Sequence, residues 1–232
     1  MSPDRNTSRR LELETKRLRD RLEGGDPLWP AQLAVGAAIA LHLTLSQKIV
    51  IGPKLLVPIV EAVLLLLLVV IAPSRAGTRS PRVRRFALLV IGLVTLTNVV
   101  SLVLLVHFLI NGGKAGGHSL ILSGVVLWVT NVLLFAVWYW EMDRGGPVER
   151  HQNPHAWPDF QFPQMENPQF APKGWMPGFL DYLYTSLTNA TAFSPTDTMP
   201  LTQTAKIIMG VQGVSALVTV GLVVARAVNI LG

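Results

Sequence analysis

Residues 178–232 read GFLDYLYTSLTNATAFSPTDTMPLTQTAKIIMGVQGVSALVTVGLVVARAVNILG. The run 179–190 has the length and pattern of a short helix, opened by Asp181, whose carboxylate suits the positive end of a helix dipole. A hydroxyl-rich segment follows, holding Pro195 and Asp197; then come Pro200 and an apolar run over about 204–231. A half-length helix, a polar loop and a full-length apolar helix are the pattern of a chain that dips into a membrane before crossing it. Thr185, Ser186, Thr188, Asn189, Thr191, Ser194, Thr196, Asp197 and Thr198 are too polar to face lipid. Non-helical backbone at bilayer depth is tolerated only where it is buried in protein or lines a watery cavity. Two readings stay open: these residues line a hydrated path or binding site, or they form a hydrogen-bonded plug, since Ser and Thr commonly join membrane helices.

The composition supports a membrane setting. Of 232 residues 50% are hydrophobic and only 15% charged, against about 25% charged in an average soluble domain, and the mean hydropathy is +0.42. The net charge of +6 would fit nucleic acid, but the charges lie between apolar runs, so orientation in the bilayer explains them better. With no cysteine, disulfides and thiolate metal sites are excluded. The first apolar run follows a charged stretch, and no cleavage-site pattern follows it, so no signal peptide is expected.

In chain order, residues 1–27 form a charged segment centred on RRLELETKRLRDRLE, with Leu11, Leu18 and Leu22 at helical spacing. A solvated cytoplasmic helix is expected there; a short coiled coil is the alternative. Residues 28–140 predict four transmembrane helices, over about 29–51, 55–72, 86–110 and 118–140. Trp138, Tyr139 and Trp140 close the fourth as an aromatic belt. Residues 141–177 carry Pro147, Pro154, Pro158, Pro163, Pro168, Pro172 and Pro177, interleaved with Trp157, Phe160, Phe162, Phe170 and Trp175. Proline at that density argues against a regular helix, and the aromatics predict packing on the membrane interface or on a neighbouring subunit. Residues 178–232 supply the half-helix, the loop and the fifth span. The fold class is therefore an all-α integral membrane protein with five transmembrane helices plus a re-entrant helix and loop.

Arg75, Arg79, Arg82, Arg84 and Arg85 stand between the second and third spans with no acid among them. Together with the basic residues before the first span they put the N-terminus in the cytoplasm of a cell (inner) membrane protein. If the half-helix dips and returns, it enters from the cytoplasmic side and residue 232 lies outside; if it crosses completely, residue 232 lies inside.

The segment TAFSPTDTMP, Thr191 to Pro200, resembles the pore region of tetrameric potassium-channel-like proteins, where a pore helix ends in a T-V-G-Y-G-D filter followed by x-x-P and an inner helix. Asp197 and Pro200 match the D-x-x-P, and Gly210 and Gly213 stand where such inner helices bend. The resemblance covers roughly 179–232. The layout Phe162-Pro163, Asp181-Tyr182-Leu183-Tyr184 and Ser194-Pro195-Thr196-Asp197 is similar to that of an uncharacterised bacterial family of multi-span membrane proteins. The resemblance implies a homo-oligomer, a tetramer, in the lipid bilayer, with a pore lined by Thr188, Asn189, Thr191, Ala192, Phe193, Ser194, Pro195, Thr196 and Asp197. It implies structural roles for Asp181, Tyr184, Pro200, Gly210 and Gly213. The filter differs where it matters. Two glycines with φ > 0 aim successive carbonyls at potassium; here those positions are Ser194 and Thr196, and Pro195 between them is fixed near φ ≈ −65°. Thr at φ > 0 is an outlier, so a lining of hydroxyls and a few carbonyls, charged by Asp197, is expected, without potassium selectivity.

Glu61 lies inside the second span, where an ionisable group is a functional candidate by default; the alternative is that it reaches water or Lys54. His42, His107, Asn98 and Asn131 are expected to hydrogen-bond between helices. His151 and His155, near Asp143, Glu149 and Asp159, make a weak metal site conceivable, but no metal and no cofactor are expected. No nucleophile–base pair, phosphate loop or HExxH motif is present, so the chain is not expected to be an enzyme, nor to bind nucleic acid. The expected function is an ion-channel-like protein passing monovalent cations with weak or non-potassium selectivity. Alternatives are a non-conducting scaffold or sensor with a channel-like fold, and a proton-coupled carrier using Glu61 and Asp197.

Overall fold

The structure, a computed structural model, describes residues 26–50, 52–71, 80–111, 117–191 and 197–231. The charged helix expected before residue 26 lies outside the described residues, as do Ala192, Phe193, Ser194, Pro195 and Thr196 of the expected lining. The protein is predominantly helical, built on α1 (Trp29–His42), α2 (Leu56–Ile71), α3 (Pro81–Ile110), α4 (Gly117–Met142), α5 (Phe179–Thr191) and α6 (Gln203–Leu231). Three segments are long and apolar enough to cross a membrane: Pro81–Ile110, Ser119–Gly145 and Gln203–Arg226.

The first expected span is not one helix. α1 has 14 residues, about 21 Å at 1.5 Å per residue, and it stops at His42. The hydrophobic run continues past that point, but Thr44 ends the helix by donating its hydroxyl to Leu41 O at 2.7 Å while Leu45 N closes on His42 O at 3.2 Å. Local side-chain bonds of this kind compete with helix propagation. A 3₁₀ turn, Gln47–Ile49, leads on to α2, whose 16 residues reach about 24 Å. α3 begins earlier than expected, at Pro81, because Ser80 caps it by accepting from Val83 N at 3.3 Å. Arg82, Arg84 and Arg85 therefore lie on the first turns of α3, not in a linker.

α4 is the centre of the bundle: 67% of its apolar window is buried, against 33% for α3 and 17% for α6. α1, α3, α5 and α6 all pack on α4, and α2 leans on α1 and α3. Ala38, Val94, Tyr139, Trp140, Phe160 and Tyr182 form the heart of the largest apolar cluster.

The connection 141–177 folds back over the end of the bundle where α4 finishes. It contains short helices, Pro147–Gln152 and Pro163–Glu166, each started by its proline. Proline's fixed φ suits a first helical turn, so the prolines limit helix length here instead of forbidding helix. Phe160 and Phe162 are buried, and both stack edge-on against Tyr182; Trp175 packs on Phe162, whereas Trp157 and Phe170 are exposed. Gly146 permits the turn. It sits at φ +97, and a Cβ there would meet Glu141 O at 2.8 Å, a conformation and an approach open to glycine alone.

Candidate functional site

The charged groups at that end form a buried lattice. Asp143, fully buried, accepts from Asp159 N at 2.7 Å and from the Tyr182 hydroxyl at 2.6 Å. Asp159 accepts from Arg144 N at 2.9 Å and from the Thr202 hydroxyl at 2.6 Å, and Thr202 caps α6 through Ala205 N at 3.2 Å. Arg150, also fully buried, donates to Asp26 Oδ2 at 2.8 Å and to Trp140 O at 3.1 Å, with its guanidinium 5.2 Å from the Tyr182 ring centre. Arg84 donates to Glu141 O at 2.8 Å. These bonds bring the starts of α1, α3, α5 and α6 to one end, beside the finish of α4.

From there α5 runs antiparallel to α4, through Tyr182–Asp143, then Ser186 Oγ donating to Val132 O at 2.7 Å, then Trp128 Nε1 donating to Ala190 O at 3.3 Å. α6 starts at the same end and runs alongside α5. Gln212 Nε2 donates to Ser186 O at 3.0 Å and to Ser186 Oγ at 2.7 Å. Asn189 Nδ2 donates to Gln212 Oε1 at 2.8 Å and to Met209 O at 3.0 Å, and the Tyr139 hydroxyl donates to Gln212 Oε1. Past the end of α5 at Thr191, Thr198 stands back beside Thr185, with 3.5 Å between the two hydroxyls. Met199 and Pro200 then pair with Gln161 and Phe160 as a two-residue antiparallel ladder. The path from Thr185 to Thr191 rises about 9 Å along α5, and the chain has undone that rise at Thr198.

The expected lining residues separate into groups. Asp197 is exposed. Thr188 donates to Tyr184 O at 2.8 Å and Thr191 to Thr188 O at 3.0 Å, both within α5. Asn189 faces α4 and α6 and joins the helices. Asp181 accepts from Gly178 N at 2.8 Å, the capping role its position suggests, and Tyr184 is exposed. α6 continues through Gly210 and Gly213, and a Cβ on either would meet nothing within 4 Å. Asn98 donates to Leu127 O at 3.5 Å, between helices as expected, while His107 is exposed and held by Asn111 on its own helix. Gln212 and Arg150 were not singled out by sequence reasoning, and Asp143 was marked there only beside a conceivable metal site. A lone amide in an apolar run and charges beside an aromatic belt are the signals that mark them.

Glu61 is fully buried, which corrects the alternative that it reaches water. Its Oε1 accepts from the Thr97 hydroxyl at 2.7 Å, and its Oε2 lies 3.3 Å from His42 Nδ1. His42 ends α1, Glu61 lies in α2, and Thr97 lies near the middle of α3. Among the described residues no group of three or more His, Asp or Glu is placed to hold a metal ion; Asp143 and Asp159 bind backbone and hydroxyl donors instead. Compared with protein-family models, with curated proteins and with solved structures, the chain matches none of them.

Proposed function

We propose that the protein is an ion-channel-like membrane protein in which α5 dips into the bilayer and the chain is back on the side it entered from by Thr198, with copies of the chain assembling around it. One observation carries the reading: α5 and α6 leave the same end of the bundle in the same direction, and the chain between them comes back to that end. A half-helix, a return and a full helix antiparallel to a preceding span are the parts of a pore loop. The arginine-bearing start of α3 lies at that end too, so the positive-inside rule puts the mouth of the loop in the cytoplasm. α1 with its following turn and α2 then make a hairpin that crosses and returns, giving five spans, with local thinning accommodating the shorter helices. One half-helix encloses nothing alone, so the pore needs several copies. The exposed apolar residues of α6, Ile207, Val211, Val214 and Leu217 among them, suit lipid and neighbouring chains. Exposed Asp197 supplies negative charge beside α5 and favours cations over anions. Purified protein in liposomes is expected to pass such cations above the empty-liposome background; absence of flux in the parent protein sinks the conduction reading.

A second reading has its own support. Ser186, Asn189 and Gln212 spend their polar groups joining α4, α5 and α6 of one chain. A non-conducting scaffold with a channel-like fold needs that glue and no pore, and silent liposomes containing folded oligomer would favour it.

A further inference from the structure

We propose that Glu61, Thr97 and His42 form a proton-binding site within the α1–α2–α3 layer, with the bound proton carried on Glu61. The site is independent of the α5–α6 loop. Ionisable groups inside a membrane bundle are costly and stay only where they have partners, and Glu61 has a partner on each oxygen. Thr97 Oγ1 is placed between two acceptors, Glu61 Oε1 at 2.7 Å and Leu93 O at 3.1 Å, and a hydroxyl has one hydrogen to give. With Glu61 ionised, Thr97 donates to the carboxylate. With Glu61 protonated, the carboxylic acid donates to Thr97 Oγ1, and the Thr97 hydrogen turns to Leu93 O. Both protonation states therefore keep their hydrogen bonds without moving a helix.

His42 decides where the proton sits. Its Nδ1 faces Glu61 Oε2 at 3.3 Å, and its buried Nε2 has no hydrogen-bond partner among the described residues. An imidazolium carries N–H on both nitrogens, so placing the proton on His42 would bury an unpaired, charged N–H donor, which is costly. A neutral imidazole donating from Nδ1 to Glu61 Oε2 avoids that cost in either state of the acid. Uptake thus takes one proton from water, makes one O–H bond on Glu61 and turns one hydroxyl; release reverses each change. A metal ion is a poor alternative occupant, because one carboxylate, one hydroxyl and one ring nitrogen fall short of the six or more oxygens a hard cation takes.

Among the described residues no other charged side chain bonds to Glu61, Thr97 or His42, and Lys48 stands on the 3₁₀ turn that packs against α3. His42 is the one titratable residue of α1 and Glu61 the one of α2. On α3 the titratable groups are Arg82, Arg84, Arg85 and His107, all towards its ends, with Arg84 engaged by Glu141 and His107 by Asn111. α4, packed against α1 and α3, carries Tyr139 and Glu141 at the opposite end and His118 near its start; Lys54 precedes α2.

Infrared difference spectroscopy on the full-length protein in lipid tests the assignment, on acidification from about pH 8 to about pH 4, a range that brackets the ordinary carboxyl and imidazole titrations. A protonated-carboxyl band is expected that disappears in Glu61→Gln, shifts in Thr97→Val and persists unshifted in Thr97→Ser. Nitrogen NMR of His42 is expected to keep the neutral-ring signature throughout. If Glu61→Gln does not fold, the two Thr97 variants carry the test. A band indifferent to Thr97→Val, no such band in the parent, or an imidazolium His42 beside an ionised Glu61 overturns the proposal.

Discussion

Replacing Gln212 with Met, which keeps the chain length and removes every hydrogen bond, probes the joint between α4, α5 and α6. Between membrane helices apolar surface supplies little net drive for association, and interhelical hydrogen bonds average about 0.6 kcal/mol each. The substitution removes the bonds from Asn189 Nδ2 (2.8 Å) and to Ser186 O and Oγ (3.0 and 2.7 Å), about 2 kcal/mol in all. It also takes from the buried Tyr139 hydroxyl the oxygen to which it donates, and an orphaned buried donor costs about 1–3 kcal/mol. The expected loss is therefore about 3–5 kcal/mol, read by reversible unfolding in mixed micelles or by steric trapping in bicelles. Tyr139→Phe in the Gln212→Met background removes the orphan and is expected to recover about 1 kcal/mol or more of it. A Gln212→Met cost within about 0.5 kcal/mol of zero, or a double mutant additive to within about 0.5 kcal/mol, would refute this account of the joint.

Arg150→Met leaves Asp26 as a charge without its guanidinium at the end of the bundle, and breaking a buried pair by removing one partner costs about 3–5 kcal/mol. The expected sign is faster proteolysis within 150–177 in the folded membrane protein, and it is reduced when Asp26→Asn is added. Asp197→Asn, at an exposed position outside the joints described above, is expected to leave stability within about 0.5 kcal/mol of the parent while lowering cation flux in liposomes; unchanged flux removes Asp197 from the pore.

The spans that carry α3, α4 and α6 were legible because uniform apolar runs of sufficient length have one solution in a bilayer. The end of α1 was not: residues 43–51 stay apolar enough to continue a span, and the turn is made by the Thr44 hydroxyl closing on Leu41 O, a local competition that hydropathy does not register. Proline density read as an irregular connection; in the structure Pro147 and Pro163 start short helices, and the apolar faces of Phe160 and Phe162 pin the segment to Tyr182. Asp181 as a cap followed from its position beside Gly178. The partners of Glu61 did not, because His42 and Thr97 lie on two other helices and only their packing brings them together. Asn189 stood out as a polar residue in a half-helix, but its direction, towards Gln212 and Met209 O, depends on where α6 runs.

The absence of cysteine makes single-cysteine labelling with a membrane-impermeant thiol reagent the most direct test of the return of the chain between α5 and α6. Lys173→Cys, before α5, and Gln203→Cys, at the start of α6, are expected to label from the cytoplasmic face, and Gly232→Cys from the opposite face. Labelling of Lys173→Cys and Gln203→Cys from opposite faces would mean that α5 and the following loop cross the membrane, and would contradict the dipping loop on which the proposed function rests.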